Sequence, residues 1–145
     1  MKTNKNKSIQ NWRSIKFQSI LNPSKYNKNG NCIYYETISY EGHIIKHWKE
    51  YDKLNRVSTY KDLNTETNLR NTYTYSYNES TNYLKSESIR TIYPDGTIIH
   101  STSLYNNGEF KNKIIYTPTS EITIDSQGNK QCRRYLFQKI PDTIL

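Results

Sequence analysis

The sequence contains no alanine and a single methionine, so the residues that most favour helix interiors are nearly missing. Its hydrophobic share is only 33% and its mean hydropathy −0.97, and no apolar run reaches the ~18 residues of a membrane span. There are five glycines, four prolines and two cysteines. Neither CxxC nor a Cys/His cluster at metal spacing occurs, so the sequence predicts no metal centre. Cys32 and Cys132 stand far apart in sequence; a disulfide between the first and last strands and a pair of reduced thiols are both open readings. No glycine-rich phosphate loop follows a strand, which leaves nucleotide hydrolysis without support. The absence of a signal-peptide apolar core leads us to expect a soluble chain kept inside a cell or organelle.

What is present is aromatic and polar. The 14 Tyr, 2 Trp and 3 Phe carry large apolar bodies with polar handles, and together with abundant Ile and Thr they suit half-buried pleated surfaces. A chain of 145 residues has the size of one domain. Its charge of +8 is uneven: residues 1–29 hold seven Lys or Arg and no acid, and the remainder holds 14 basic and 13 acidic residues. The basic segment reads either as a solvated leader or as an arm for phosphate or an acidic protein. The near-neutral body argues against nucleic acid as partner, although basic strands interleaved with Tyr can stack single-stranded bases.

Residues 1–7 are expected to form a disordered basic terminus, and residues 8–145 a single β domain. Ser8 to Leu21 combines a helical stripe (Ile9, Trp12, Ile15, Ile20) with strand-like alternation, so a short helix running into a strand is predicted. From Cys32 onward the pattern predicts nine strands, near Ile33–Tyr40, His43–Tyr51, Arg56–Lys61, Leu69–Tyr77, Tyr83–Tyr93, Thr97–Tyr105, Phe110–Tyr116, Glu121–Asp125 and Lys130–Gln138. Turns are predicted at Glu41-Gly42, Lys53-Leu54-Asn55, Asn78–Thr81, Pro94-Asp95-Gly96, Asn106-Asn107-Gly108 and Ser126-Gln127-Gly128. Strands joined by such tight turns are antiparallel neighbours. Because a long meander leaves two sticky edges, the expected fold is all-β: an up-and-down meander closing into a lipocalin-like barrel with a short N-terminal helix. The competing architecture is an open single-layer sheet of hairpin repeats. Its sequence support is Tyr51-Asp52-Lys53-Leu54-Asn55-Arg56, which resembles the YDxxGR core of YD-type repeats with Asn for Gly.

No nucleophile with a base and an orienting group stands out, so catalytic residues are left unassigned. His43 and His47, four apart, lack an evident third ligand, and His100 is remote in sequence.

Three short stretches resemble the S-type phycobiliprotein chromophore lyases. Trp12-Arg13-Ser14-Ile15-Lys16 is similar to their W-x-S-x-R, with Lys for Arg; Asp95-Gly96-Thr97-Ile98-Ile99-His100-Ser101-Thr102 is similar to DGTLxLxT; Arg134-Tyr135-Leu136-Phe137 with Pro141-Asp142-Thr143-Ile144 is similar to R-x-W-F and its tail, with Leu for Trp. That resemblance implies a lipocalin-like barrel that binds a linear tetrapyrrole (bilin) as substrate, without a permanently bound cofactor. It also implies delivery of the bilin to a cysteine of a phycobiliprotein subunit, in a plastid (chloroplast) or in cyanobacterial cytoplasm. The implied ligand-binding residues are Trp12 for stacking and Lys16, Arg90 and Arg134 for the propionates. Glu87 is then a candidate proton donor. The alternative function, tied to the hairpin-repeat architecture, is a non-enzymatic protein-binding or immunity module.

Overall fold

The computed structural model describes residues 20–135. Ten strands follow one another: β1 (Lys25–Tyr26), β2 (Cys32–Ile38), β3 (Ile44–Tyr51), β4 (Val57–Asn64), β5 (Arg70–Tyr77), β6 (Leu84–Ile92), β7 (Ile98–Asn106), β8 (Glu109–Tyr116), β9 (Ser120–Ile124) and β10 (Lys130–Arg134). Each pairs antiparallel with the next, so spatial order equals chain order in one ten-stranded sheet. β1 and β10 do not pair with each other, and the sheet is open.

The expected barrel closure is therefore corrected. Closure was inferred from the need to hide edges, and the edges are managed in another way. β1 is only two residues long, and all five residues of β10 are exposed, three of them the cations Lys130, Arg133 and Arg134. Short edge strands and edge cations both discourage pairing with a stray strand. A barrel interior also needs apolar side chains to fill it, and among the described residues no hydrophobic side chain is fully buried. Among the described residues the buried ones are Ser101 and Ser103, small side chains in β7. The expected helix over Ser8–Leu21 lies outside the described residues except for its last two, of which Ile20 is helical and Leu21 is not; every element among the described residues is a strand.

Turn chemistry explains why the chain meanders. Five loops share one geometry, at 27–31, 39–43, 52–56, 93–97 and 125–129. In each, the first residue's N–H donates to the fifth residue's carbonyl (2.8–3.0 Å) and the fourth residue's N–H donates back to the first residue's carbonyl. The fourth residue is left-handed, with φ +60° at Asn55 and +88° at Gly96, which only Gly or Asn adopts cheaply. In three of these loops an Asx side chain at the first position accepts further backbone N–H groups: Asp52 from Leu54 (2.9 Å) and Arg56 (3.0 Å), Asn27 from Asn29 and Asn31 (3.0 Å each), and Asp125 from Gln127 and Asn129 (2.9 Å each).

The strands also disclose a repeat. Tyr-Asx dipeptides stand at Tyr26-Asn27, Tyr51-Asp52, Tyr77-Asn78 and Tyr105-Asn106, spaced 25, 26 and 28 residues, at the ends of β1, β3, β5 and β7. The unit is one hairpin. Tyr51 and Tyr77 make the same contact one unit apart, donating their hydroxyls to the carbonyls of Cys32 in β2 and Val57 in β4 (2.8 Å each). Side chains bridge successive loops along that end of the sheet. Asn29 and Asn31 donate to Asn55 (3.2 and 3.1 Å), and Arg56 donates to Asn82 (2.8 Å) while lying 4.6 Å from the Tyr77 ring centre. Tyr83 then covers Gly108, where an added Cβ would approach the ring to 3.4 Å.

Candidate functional site

In an open sheet, function has two faces and two edges to use, and the register assigns every strand residue to one face. One face is marked by Tyr60. Across it run Tyr35–His47–Asp62–Asn71–Thr91 and Lys49–Tyr60–Tyr73–Ile89–Ser101–Ile115. The opposite face is marked by Trp48, in the row Tyr34–Trp48–Lys61–Thr72–Arg90–His100 and the flanking row Glu36–Lys46–Leu63–Arg70–Ile92.

On the Tyr60 face two clusters of polar groups satisfy one another. His47 Nε2 and Thr37 Oγ1 are 2.7 Å apart, and His47 Nδ1 and the Tyr60 hydroxyl 2.5 Å apart. The Asn71 amide donates to Asp62 (2.9 Å), and the Thr91 hydroxyl donates to Asn71 Oδ1 (2.7 Å). Tyr35 stacks on His47 at 4.3 Å and 3°, and the Tyr60 and Tyr73 rings lie 5.2 Å apart. Burial pushes the His47 imidazole down, with Asp62 opposing and Lys49 assisting. The same burial pushes the Tyr60 and Tyr73 hydroxyls up. With both ring nitrogens engaged by hydroxyls, neutral His47 has no lone pair left to offer a ligand. His43 accepts from the Asn64 amide at 3.1 Å, and no group of three or more His, Cys, Asp or Glu at metal-binding distance forms among the described residues.

The Trp48 face is less self-contained. Trp48 is 37% exposed, with the Tyr34 ring 5.6 Å away at 59°. Beside it lies an open trough of about 480 Å³ whose lining combines Trp48, Leu63 and Ile92 with two cations, Lys61 and Arg70, and two acids, Glu50 and Asp62. Lys46, Lys61, Arg70 and Arg90 bring four cations to this face from four adjacent strands, β3 to β6. Among the described residues the ion pair within 4.0 Å between groups of fixed charge is Arg56–Asp52, and the other opposite-charge approach is of His43 to Glu41 at 3.6 Å, so none of the four cations is paired. Arg90 Nε is buried and lacks a hydrogen-bond partner. Of the acids on this face, Glu36 is already held. It accepts from the Asn22 N–H (2.9 Å) and amide (3.1 Å) and from the Tyr34 hydroxyl. Burial works to raise the Glu36 carboxyl, but those hydrogen bonds, helped by Lys46, outweigh it and hold the group below the usual carboxylate range. Tyr34 is pushed up to about 12 by burial and by Glu36. Burial pushes His100 down, and Arg90 across the strand pair adds to the effect.

Of the residues expected from sequence to bind a ligand, the two that are described, Arg90 and Arg134, do not converge. Arg90 sits on the Trp48 face in β6, whereas Arg134 is opposite Ser120 in β10 and points to the Tyr60 face. Four strand intervals of ~4.8 Å put them about 19 Å apart along the sheet. Trp12 and Lys16 lie outside the described residues. Glu87 is on the Tyr60 face between Tyr75 and Ser103. Cys32 and Cys132 are free thiols with seven strands between theirs, so the conceivable disulfide does not form. Sequence reasoning missed the Trp48, Lys61 and Arg70 grouping. Its signal was alternation in Lys46-His47-Trp48-Lys49, which acquires meaning only once the register is known.

Among the described residues no helix is long and apolar enough to cross a membrane. Compared with protein-family models, with curated proteins and with solved structures, the chain matches none.

Proposed function

We propose that the chain is a non-enzymatic hairpin-repeat module that binds another protein across a face of its sheet. The observation that carries this reading is the Tyr-Asx repeat, which extends a single layer without building an interior. A binding cavity needs walls on several sides; an open sheet instead presents area. Nine intervals of ~4.8 Å by eight residues of ~3.3 Å give each face about 1,100 Å², more than the ~800 Å² per partner of a stable interface. Tyr, Trp and Arg, the residue types that dominate interface energetics, are the ones this sheet displays.

The test is capture with the full tagged chain, followed by titration of each purified candidate against charge-reversal variants on the Trp48 face, the Tyr60 face and the β10 edge. A micromolar or tighter partner lost with variants of one face supports the reading. Candidates that bind all variants equally, or no candidate at all, overturn it.

A second reading keeps the bilin, as substrate of a chromophore lyase acting on a phycobiliprotein. What favours it is the trough, where Trp48 offers a stacking plane and Lys61 and Arg70 offer partners for propionates. Its volume falls within the ~300–1,000 Å³ of small-molecule sites, but such sites enclose ~70–90% of their ligand, and a trough on an open face encloses far less. Titration with phycocyanobilin or phycoerythrobilin decides: a red-shifted, sharpened absorption band at micromolar protein, lost in Lys61→Glu, supports it, and an unchanged spectrum sinks it.

A further inference from the structure

We propose that the Trp48 face is the docking surface and that its occupant is an acidic protein segment whose apolar or aromatic side chain seats in the trough beside Trp48. This rests on the protein-binding reading and adds to it a face and a partner chemistry. Four observations select this face. It holds the trough and the half-exposed indole, an anchor position of the kind that concentrates binding energy. It gathers Lys46, Lys61, Arg70 and Arg90, without an ion pair among the described residues. Two acids share this region of the face by register: Glu36 is committed to Asn22 and Tyr34, and Glu50 lines the trough, where Asp62, engaged by Asn71 on the other face, also contributes, so four cations stand against one unengaged carboxylate. Finally, Arg90 has a buried Nε without a hydrogen-bond partner, so its guanidinium is not engaged through that nitrogen, and a carboxylate is the acceptor to which a guanidinium donates best.

The other surfaces fit less well. The Tyr60 face spends its polar atoms on the Thr37–His47–Tyr60 and Asp62–Asn71–Thr91 contacts, so a partner there would have to break bonds already made. β10 offers cations but no apolar anchor beside them, a composition that edge protection explains. Charge alone does not separate an acidic protein from a nucleic acid. The combination of one apolar trough, flanked by Leu63 and Ile92, with cations at its rim favours a single hydrophobic side chain among carboxylates over a row of stacked bases.

The experiment uses the full chain in a Trp12→Phe background, which leaves Trp48 as the one indole. Its emission is followed on titration with a random Glu-Tyr copolymer, with poly-glutamate and with polyuridylate. Expected is a saturable change with the copolymer, at an affinity about tenfold above poly-glutamate and weakening as salt rises. Lys61→Glu and Arg70→Glu, both at exposed positions, should each weaken it about tenfold. Lys113→Glu, the same charge change on the Tyr60 face, should change it less than about twofold. Equal affinity for poly-glutamate, equal loss from Lys113→Glu and Lys61→Glu, or tighter binding of polyuridylate would each overturn the proposal. A captured protein partner that tolerates Lys61→Glu and Arg70→Glu but is lost with Tyr60-face variants would overturn the proposal while leaving the protein-binding reading in place. Absence of any partner removes both.

Discussion

Replacing Ile89 by Ala should cost this protein far less than the same change costs a globular core. Ile89 lies near the middle of β6, flanked across the strands by Tyr73 and Ser101, and is half-buried. The change removes three carbons, each worth about 0.8 kcal/mol when fully withdrawn from water, so about 1.2 kcal/mol at half burial. Weaker strand preference of Ala adds at most about 1 kcal/mol. Nothing further is due, because a single layer has no opposite wall to frame a cavity. Urea unfolding should therefore give a loss of about 1–2 kcal/mol, against the ~2–5 kcal/mol of buried aliphatic truncations. Ile122 in β9, about 14 Å away across three strand intervals, should behave alike, and the double variant should equal the sum to within about 0.5 kcal/mol. A loss above about 3 kcal/mol at Ile89, or strong coupling between the two sites, would mean that a second layer covers this face and would refute the open-sheet argument.

Acid should weaken the fold in two stages. Burial depresses the imidazoles of His47 and His100, so the folded state binds fewer protons than the unfolded one, whose histidines titrate near ~6.5. The associated stability is present above that pH and lost as pH falls through and below it; a melting temperature that stays flat between pH ~7.5 and ~5 would contradict this. Asp95 and Asp125 are held below the usual carboxylate range by backbone N–H groups of Thr97 and Asn129, so a further decline is expected below pH ~4. Gly96→Ala should cost about 1–2 kcal/mol in urea unfolding, because the space is open and the φ of +88° alone is at fault; a neutral result would contradict the assigned turn. Amide exchange should be slowest in β5 to β7 and accelerate toward β1 and β10, since each strand leans only on its neighbours; uniform protection would point to a single closed core.

Local structure was legible where side-chain chemistry and backbone needs coincide. Asp95-Gly96, Asn107-Gly108 and Gln127-Gly128 announced their turns, and the nine strands inferred between such signals all form, with differences at their ends such as β4 running on to Asn64; of the expected Lys130–Gln138, β10 covers Lys130–Arg134, and residues 136–138 lie outside the described residues. β1 escaped notice because two residues carry no periodicity. Closure was not legible. Edge exposure is a cost that a barrel removes, but a two-residue strand at one end and Lys130, Arg133 and Arg134 at the other reduce it without requiring an interior. The repeat was hidden because Tyr-Asx is its shared core, in units of slightly unequal length whose loops differ. The site was hidden for a geometric reason. Arg90 and Arg134 look equivalent as basic strand residues, and only the cumulative register across β6 to β10 shows that they face opposite ways.

A sheet without an interior must take its stability from neighbours along one dimension, and the contacts here are of that type. Cross-strand rings such as Tyr34–Trp48 and Tyr60–Tyr73 cover one another's flanks, contributing ~0.2–1 kcal/mol per pair. Tyr51 and Tyr77 tie strand ends to preceding strands, and the Asn29–Asn55 and Arg56–Asn82 contacts tie successive loops. Each such bond is worth about 1 kcal/mol, modest singly but renewed in successive hairpins. This economy has a functional consequence. Side chains that would have been committed to a core remain at two surfaces; on one of them the Thr37–His47–Tyr60 and Asp62–Asn71–Thr91 contacts close on themselves, while on the other a half-exposed Trp48 lies among four cations that form no ion pair among the described residues. The asymmetry between the faces, more than any single residue, is what singles out the Trp48 face for recognition.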